Sequence, residues 1–100
     1  MLEKAVEAIF ARRVRELGGL SFKFAPVVAG NPDRIVLMPG GKVYFVELKA
    51  EGGVLSAVQR LWHARAAALG TTVGVVEGAV AARRWEPPGE TASSTSGDVG

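Results

Sequence analysis

The sequence predicts an α/β domain with the order α-β-β-β-α-β-α and a mixed four-stranded sheet flanked by helices. Three observations lead there. Residues 2–17 carry an apolar stripe at helical spacing. Residues 43–49 are β-branched and aromatic at both parities until Glu47, as in a central strand covered on both faces. A helix with a capping signal then separates that strand from the apolar run 71–76, and a helix crossing between two strands makes them parallel.

The first helix follows from Leu2, Val6, Ile9, Phe10, Val14 and Leu17, and Gly18-Gly19 ends it. At about 100° per residue, Glu3 falls beside this stripe, Glu7 lies further round, and Arg12 and Arg15 face solvent. Leu20 to Phe24 alternate as a strand. A loop over 26–32 ends in Gly30-Asn31-Pro32, and Arg34 to Met38 form the second strand. Pro39-Gly40-Gly41 turns the chain into the third, Val43 to Lys49. Ser56 caps the next helix and Gln59 completes a capping box. Leu55, Val58, Trp62 and Leu69 supply its apolar side, and Gly70 stops it. A fourth strand over 71–76 and a short helix over 79–85 complete the fold.

Residues 1–85 form the folded domain. Residues 86–100 open with Glu86-Pro87-Pro88-Gly89 and continue as Ser, Thr, Gly and acid, so they bury too little to offset their ordering entropy and are expected to be a disordered tail. Absence of cysteine excludes disulfides, thiolate zinc sites and cysteine nucleophiles, and His63, the single histidine, excludes a multi-histidine metal cage. No run approaches the ~18 apolar residues of a membrane span. The N-terminus lacks a secretory pattern, so a reducing intracellular compartment is expected. Residues 1–85 hold all twelve basic residues against seven acidic ones, a surplus of five positive charges that suits a polyanion.

The chemistry-bearing residues interrupt apolar strands. Glu47 and Lys49 are two apart and share one strand face. If the hairpin is centred on Gly40, Asp33 stands opposite Glu47, with Cβ atoms about 5 Å apart. A centre between Gly40 and Gly41 instead pairs Asp33 with Leu48 and turns it to the other face. In the first register two carboxylates repel unless a cation lies between them, and hard oxygens suit Mg²⁺ or Mn²⁺. Lys49 beside them would hold a phosphate oxygen or an attacking water, which together makes a phosphodiester hydrolysis site. The competing reading is a surface ion pair at a strand end.

Gly30-Asn31-Pro32-Asp33-Arg34, a glycine-bearing turn, Val46-Glu47-Leu48-Lys49 and a downstream helix with Gln59 resemble the VRR-NUC family, the virus-type replication-repair branch of the PD-(D/E)xK nucleases. The resemblance spans about Glu3 to Val76 and implies a restriction-endonuclease-like core, as in the stand-alone phage or bacterial form. It implies Asp33, Glu47 and the Leu48 backbone carbonyl as ligands of Mg²⁺ or Mn²⁺, and Lys49 as the residue that positions the water. It places Gln59 by the site, where the same residue also serves as a helix cap. Glu3 matches the first-helix acid by its distance from the double glycine, with Glu7 as its rival.

Lys23, Arg34 and Arg60 form the expected DNA-binding set; Lys23 also reads as a solvated strand residue and Arg34 as the partner of an acid. His63 and the face of Arg12 and Arg15 read as solvated, and Trp62 and Trp85 as core or interface.

The expected activity is metal-dependent DNA cleavage, directed at four-way (Holliday) junctions or other branched DNA in replication, recombination or repair, inside a bacterial or phage-infected cell. Alternatives are a DNA-binding module of the same fold without turnover, or a monomeric nicking or single-strand nuclease. No membrane and no small-molecule cofactor are expected. A core of this size buries only about 60–65% of its unfolded surface. Yet mean hydropathy is +0.20, so a homodimer interface is expected, with Trp85, Val80 and parts of 71–76 as contributors.

Overall fold

A computed structural model describes residues 3–25 and 28–88. The elements are α1 (Glu3–Glu16), β1 (Leu20–Lys23), β2 (Arg34–Met38), β3 (Lys42–Lys49), α2 (Ala57–Ala68), β4 (Val73–Glu77) and α3 (Gly78–Arg83). Their order is that expected from the sequence. Most of the expected tail, residues 89–100, lies outside the described residues, as does Leu2. No helix among the described residues is long and apolar enough to cross a membrane.

The sheet runs β1-β2-β3-β4. The first three strands are antiparallel neighbours, and β4 lies parallel to β3 after the α2 crossover. The β2–β3 hairpin pairs Arg34 with Val46, Ile35 with Phe45 and Val36 with Tyr44, which is the register centred on Gly40.

One sheet face carries the core. Val36, Val46, Leu48 and Val76 pack against Val6, Phe10 and Val14 of α1, Ala82 of α3, and Trp85. The indole meets Phe10 edge-on, centroids 5.2 Å apart, and Tyr44 at 6.2 Å. Trp85 is therefore core, one of its two expected places, and its expected share in a subunit interface is corrected: two rings with edge-to-face geometry bury it inside one chain. Val80 and Val75 remain exposed.

The opposite face carries α2, which buries only Ala66. The helix ends with Gly70 at φ +89, the Gly70 N–H on the Ala67 carbonyl and the Thr71 N–H on the Ala66 carbonyl. This closing turn consumes Thr71, which is why β4 begins at Val73 rather than 71.

Candidate active site

The end of β3 sorts three consecutive residues by pleat. Leu48 enters the core, while Glu47 and Lys49 face the α2 side. Asp33 directly precedes β2, so one further step of the register places it opposite Glu47. Its Oδ1 accepts the Leu48 N–H at 3.2 Å, which ties the loop to the strand end.

Glu47 is 4% exposed, exceptional for a carboxylate. Its Oε2 accepts Gln59 Nε2 at 2.9 Å and lies 3.7 Å from Lys49 Nζ. Its Oε1 is buried and has no hydrogen-bond partner. Burial first, and then the Asp33 carboxylate, push Glu47 up to about 7, with Lys49 opposing. Asp33 is raised to about 6 by burial; the Leu48 N–H opposes this, and Glu3 and Glu7 add to it.

Gln59 is bifunctional. Its Oε1 accepts the Ser56 N–H at 2.8 Å, and Ser56 Oγ accepts the Gln59 N–H at 3.1 Å, completing the capping box. With its carbonyl oxygen so engaged, the amide can turn only its NH₂ toward Glu47. The two expected readings of Gln59, cap and site, therefore coincide.

Glu3, Asp33, Glu47, Lys49 and Gln59 line one cavity of about 410 Å³ with Phe24, Asn31, Ser56 and Val58. The structure thus brings together all five expected catalytic side chains. Glu7 does not line the cavity, although Glu3, Glu7 and Asp33 have oxygens within 4.8 Å of one another. Glu7 instead lies 4.0 Å from both Lys23 and Arg34.

The expected DNA-binding residues do not gather with them. Arg34 is buried, donates from Nε to Ser21 Oγ at 3.0 Å and pairs with Glu7, which corrects its expected DNA contact. Its side of the β2 pleat turns inward, against α1. Lys23 is exposed beside Glu7, and Arg60 is exposed, with Nη1 on the Leu55 carbonyl at 2.8 Å. His63 is half-buried with Nε2 unpartnered, and burial lowers its pKa.

Sequence reasoning missed the walls. Gly30 has φ +88, and a Cβ there would meet the Val58 carbonyl oxygen at 2.5 Å, so the loop before Asp33 lies pressed on the first turn of α2. The glycine itself was the visible signal; its neighbour in space was not.

The donor set suits a hard divalent cation. Two opposed carboxylates, both above their ordinary range, and one buried oxygen without a donor leave an unmet demand for positive charge.

No family model matches the chain. It is 42% identical over 76 residues to a protein of Acyrthosiphon pisum secondary endosymbiont phage 1 named "Putative nuclease p44", covering 75% of this chain and 82% of that one. A solved structure described as "VRR_NUC domain" aligns with a TM-score of 0.73 and 32% identity, over 80% of this chain and 88% of that chain. Relatedness at this level, over most of both chains and in the same mixed sheet, means that the chain belongs to the VRR-NUC family of PD-(D/E)xK nucleases.

Proposed function

We propose that this nuclease is a Mg²⁺- or Mn²⁺-dependent DNA endonuclease acting on branched DNA, four-way junctions included. The observation that carries the metal dependence is Glu47: a buried carboxylate opposite Asp33, with one oxygen engaged by Gln59 and the other without a donor. Asp33, Glu47 and the Leu48 backbone carbonyl would hold the cation. When bound, it supplies Lewis acidity at the scissile phosphate.

The chain's own groups do the rest. Lys49 Nζ, on the cavity wall beside Glu47, holds the attacking water or a phosphate oxygen in line. Gln59 fixes the Glu47 carboxylate in one rotamer. Glu3, which also lines the cavity, accepts a hydrogen bond from water there. Lys23 and Arg60, both exposed, meet backbone phosphates.

A homodimer rests on a different feature. On the α2 side of the sheet, Leu20, Leu37 and Val43 form one cross-strand row, all exposed, and Phe22 in the next row is exposed as well. Such a continuous apolar face favours a two-fold contact between copies, and two related active sites suit a junction of near two-fold symmetry. We place its action in the cytoplasm of a bacterial or phage-infected cell.

Cleavage of linear, flap and four-way-junction DNA with Mg²⁺, Mn²⁺ or EDTA is the test. Metal-dependent cutting of the branched substrates is expected. Binding without cutting in any metal would favour a DNA-binding module. Light scattering across a concentration series reads the dimer, and Leu37→Lys should shift it toward monomer.

A further inference from the structure

The positive surplus of this chain is not at its candidate active site. Around the cavity, Lys23 and Arg34 lie against Glu7, and Lys49 lies against Glu47, while Glu3 and Asp33 add further acid. Of the expected phosphate contacts only Arg60 has no acidic partner among the described residues, so polyanion attraction needs a further origin. It lies on the α1–α3 side, where Arg12, Arg13 and Arg83 line a cavity of about 370 Å³ with Ile9 and Glu16. Arg15 and Arg84, both exposed, flank the same elements.

This cavity has a preorganised member. Arg13 Nε donates to the Trp85 carbonyl at 2.8 Å, and its Nη1 and Nη2 lie 3.9 Å from Glu16 and 3.8 Å from Glu86. The guanidinium is thus held in place, yet its ion pairs are long and both acids are mostly exposed. Arg12, whose side chain is 78% exposed, shares Glu16 at 3.6 Å. Arg83 makes no ion pair among the described residues. Three guanidinium groups line the cavity with one exposed carboxylate, Glu16, and guanidinium is the side chain best shaped for phosphate.

We propose that this arginine cavity is a second nucleic-acid contact, binding the sugar-phosphate backbone of a duplex arm away from the scissile phosphate. It rests on the reading of the chain as a DNA nuclease. Helix α1 links the two places: Glu3 lines the active-site cavity and Arg12 the arginine cavity. Nine residues of helix separate them by about 14 Å. The contacted phosphates therefore lie at least a couple of nucleotides from the cut. The contact is to backbone, so it carries no sequence preference.

The experiment measures affinity of the full chain for a duplex of about 20 base pairs, in EDTA, by fluorescence anisotropy between about 50 and 200 mM salt. Arg12→Gln/Arg83→Gln should weaken binding roughly tenfold at low salt and make the salt slope shallower by about two. Glu16→Gln should tighten binding. Arg13 is left intact because it holds the Trp85 carbonyl. Calorimetric Mn²⁺ affinity should be the same in every variant, which separates this contact from the metal site. An unchanged slope in the double variant overturns the proposal, as does a wild-type chain that binds no duplex. If no metal supports cleavage but the double variant still loses slope, the nuclease reading fails and the contact stands.

Discussion

The side-chain amide of Gln59 joins the cap of α2 to the carboxylate of Glu47: one end accepts the Ser56 N–H and the other donates to Glu47 Oε2. A carboxylate at 59 satisfies the cap equally well but sets a second negative charge against a buried one. Gln59→Glu should therefore keep the helix, read by circular dichroism, and lose cleavage. Gln59→Ala should lose about 1 kcal/mol of stability with the cap, plus activity. Full cleavage by Gln59→Glu would show that the Glu47 contact is dispensable.

Asp33→Asn or Glu47→Gln should abolish cleavage and weaken Mn²⁺ binding, whereas Lys49→Ala should abolish cleavage and leave metal binding largely intact. Calorimetry beside a cleavage assay distinguishes them. An active Glu47→Gln would dismiss the site assignment.

The two acids of α1 should separate by phenotype. Glu3 lines the cavity, and Glu7 pairs with buried Arg34. Glu3→Gln should lower turnover with little change in Tm. Glu7→Gln removes the partner of a buried guanidinium, so it should cost stability, on the order of 3 kcal/mol, with the smaller direct effect on chemistry. The reverse pattern would exchange their roles.

Without metal, stability should rise as pH falls from about 8 toward 5. The Asp33 and Glu47 carboxyls, ordinarily near 3.8 and 4.5, sit at about 6 and about 7 when folded. The folded chain therefore binds more protons than the unfolded one in that window, and stability is lost as pH rises through the folded values. His63 works the other way: burial lowers its pKa, so its protonation below the usual 6.5 favours unfolding. Tm measured in EDTA should show the carboxyl trend most clearly in His63→Gln. Glu47→Gln should flatten it, and Mn²⁺ should raise Tm most at high pH. A trend unchanged in Glu47→Gln would disprove its origin in the buried carboxyl.

The hairpin register was legible only as a choice of two, since Pro39-Gly40-Gly41 left two centres, and the pairing of Arg34 with Val46 selects the one that sets Asp33 against Glu47. The apolar steps of α1 likewise marked Val6, Phe10 and Val14 as buried. Arg34 was not legible, since a strand residue beside a metal ligand looks equally suited to solvent or core until α1 is placed over it. Trp85 was left between core and interface for the same reason: it follows the last helix, and nothing local announces that Phe10 and Tyr44 enclose its ring. Nor does local pattern say that Gly30 touches Val58, a contact made by a loop folding back onto a helix.

Helix α2 buries one residue where α1 buries three, yet it carries Gln59. Amide hydrogens of α2 should consequently exchange with solvent at a lower opening free energy than those of α1. When the helix opens, Glu47 loses its amide donor before the core is disturbed. Cutting competence and global foldedness are therefore separable quantities in this chain, and gentle denaturant should extinguish the first while near-ultraviolet dichroism from Trp85 still registers the second.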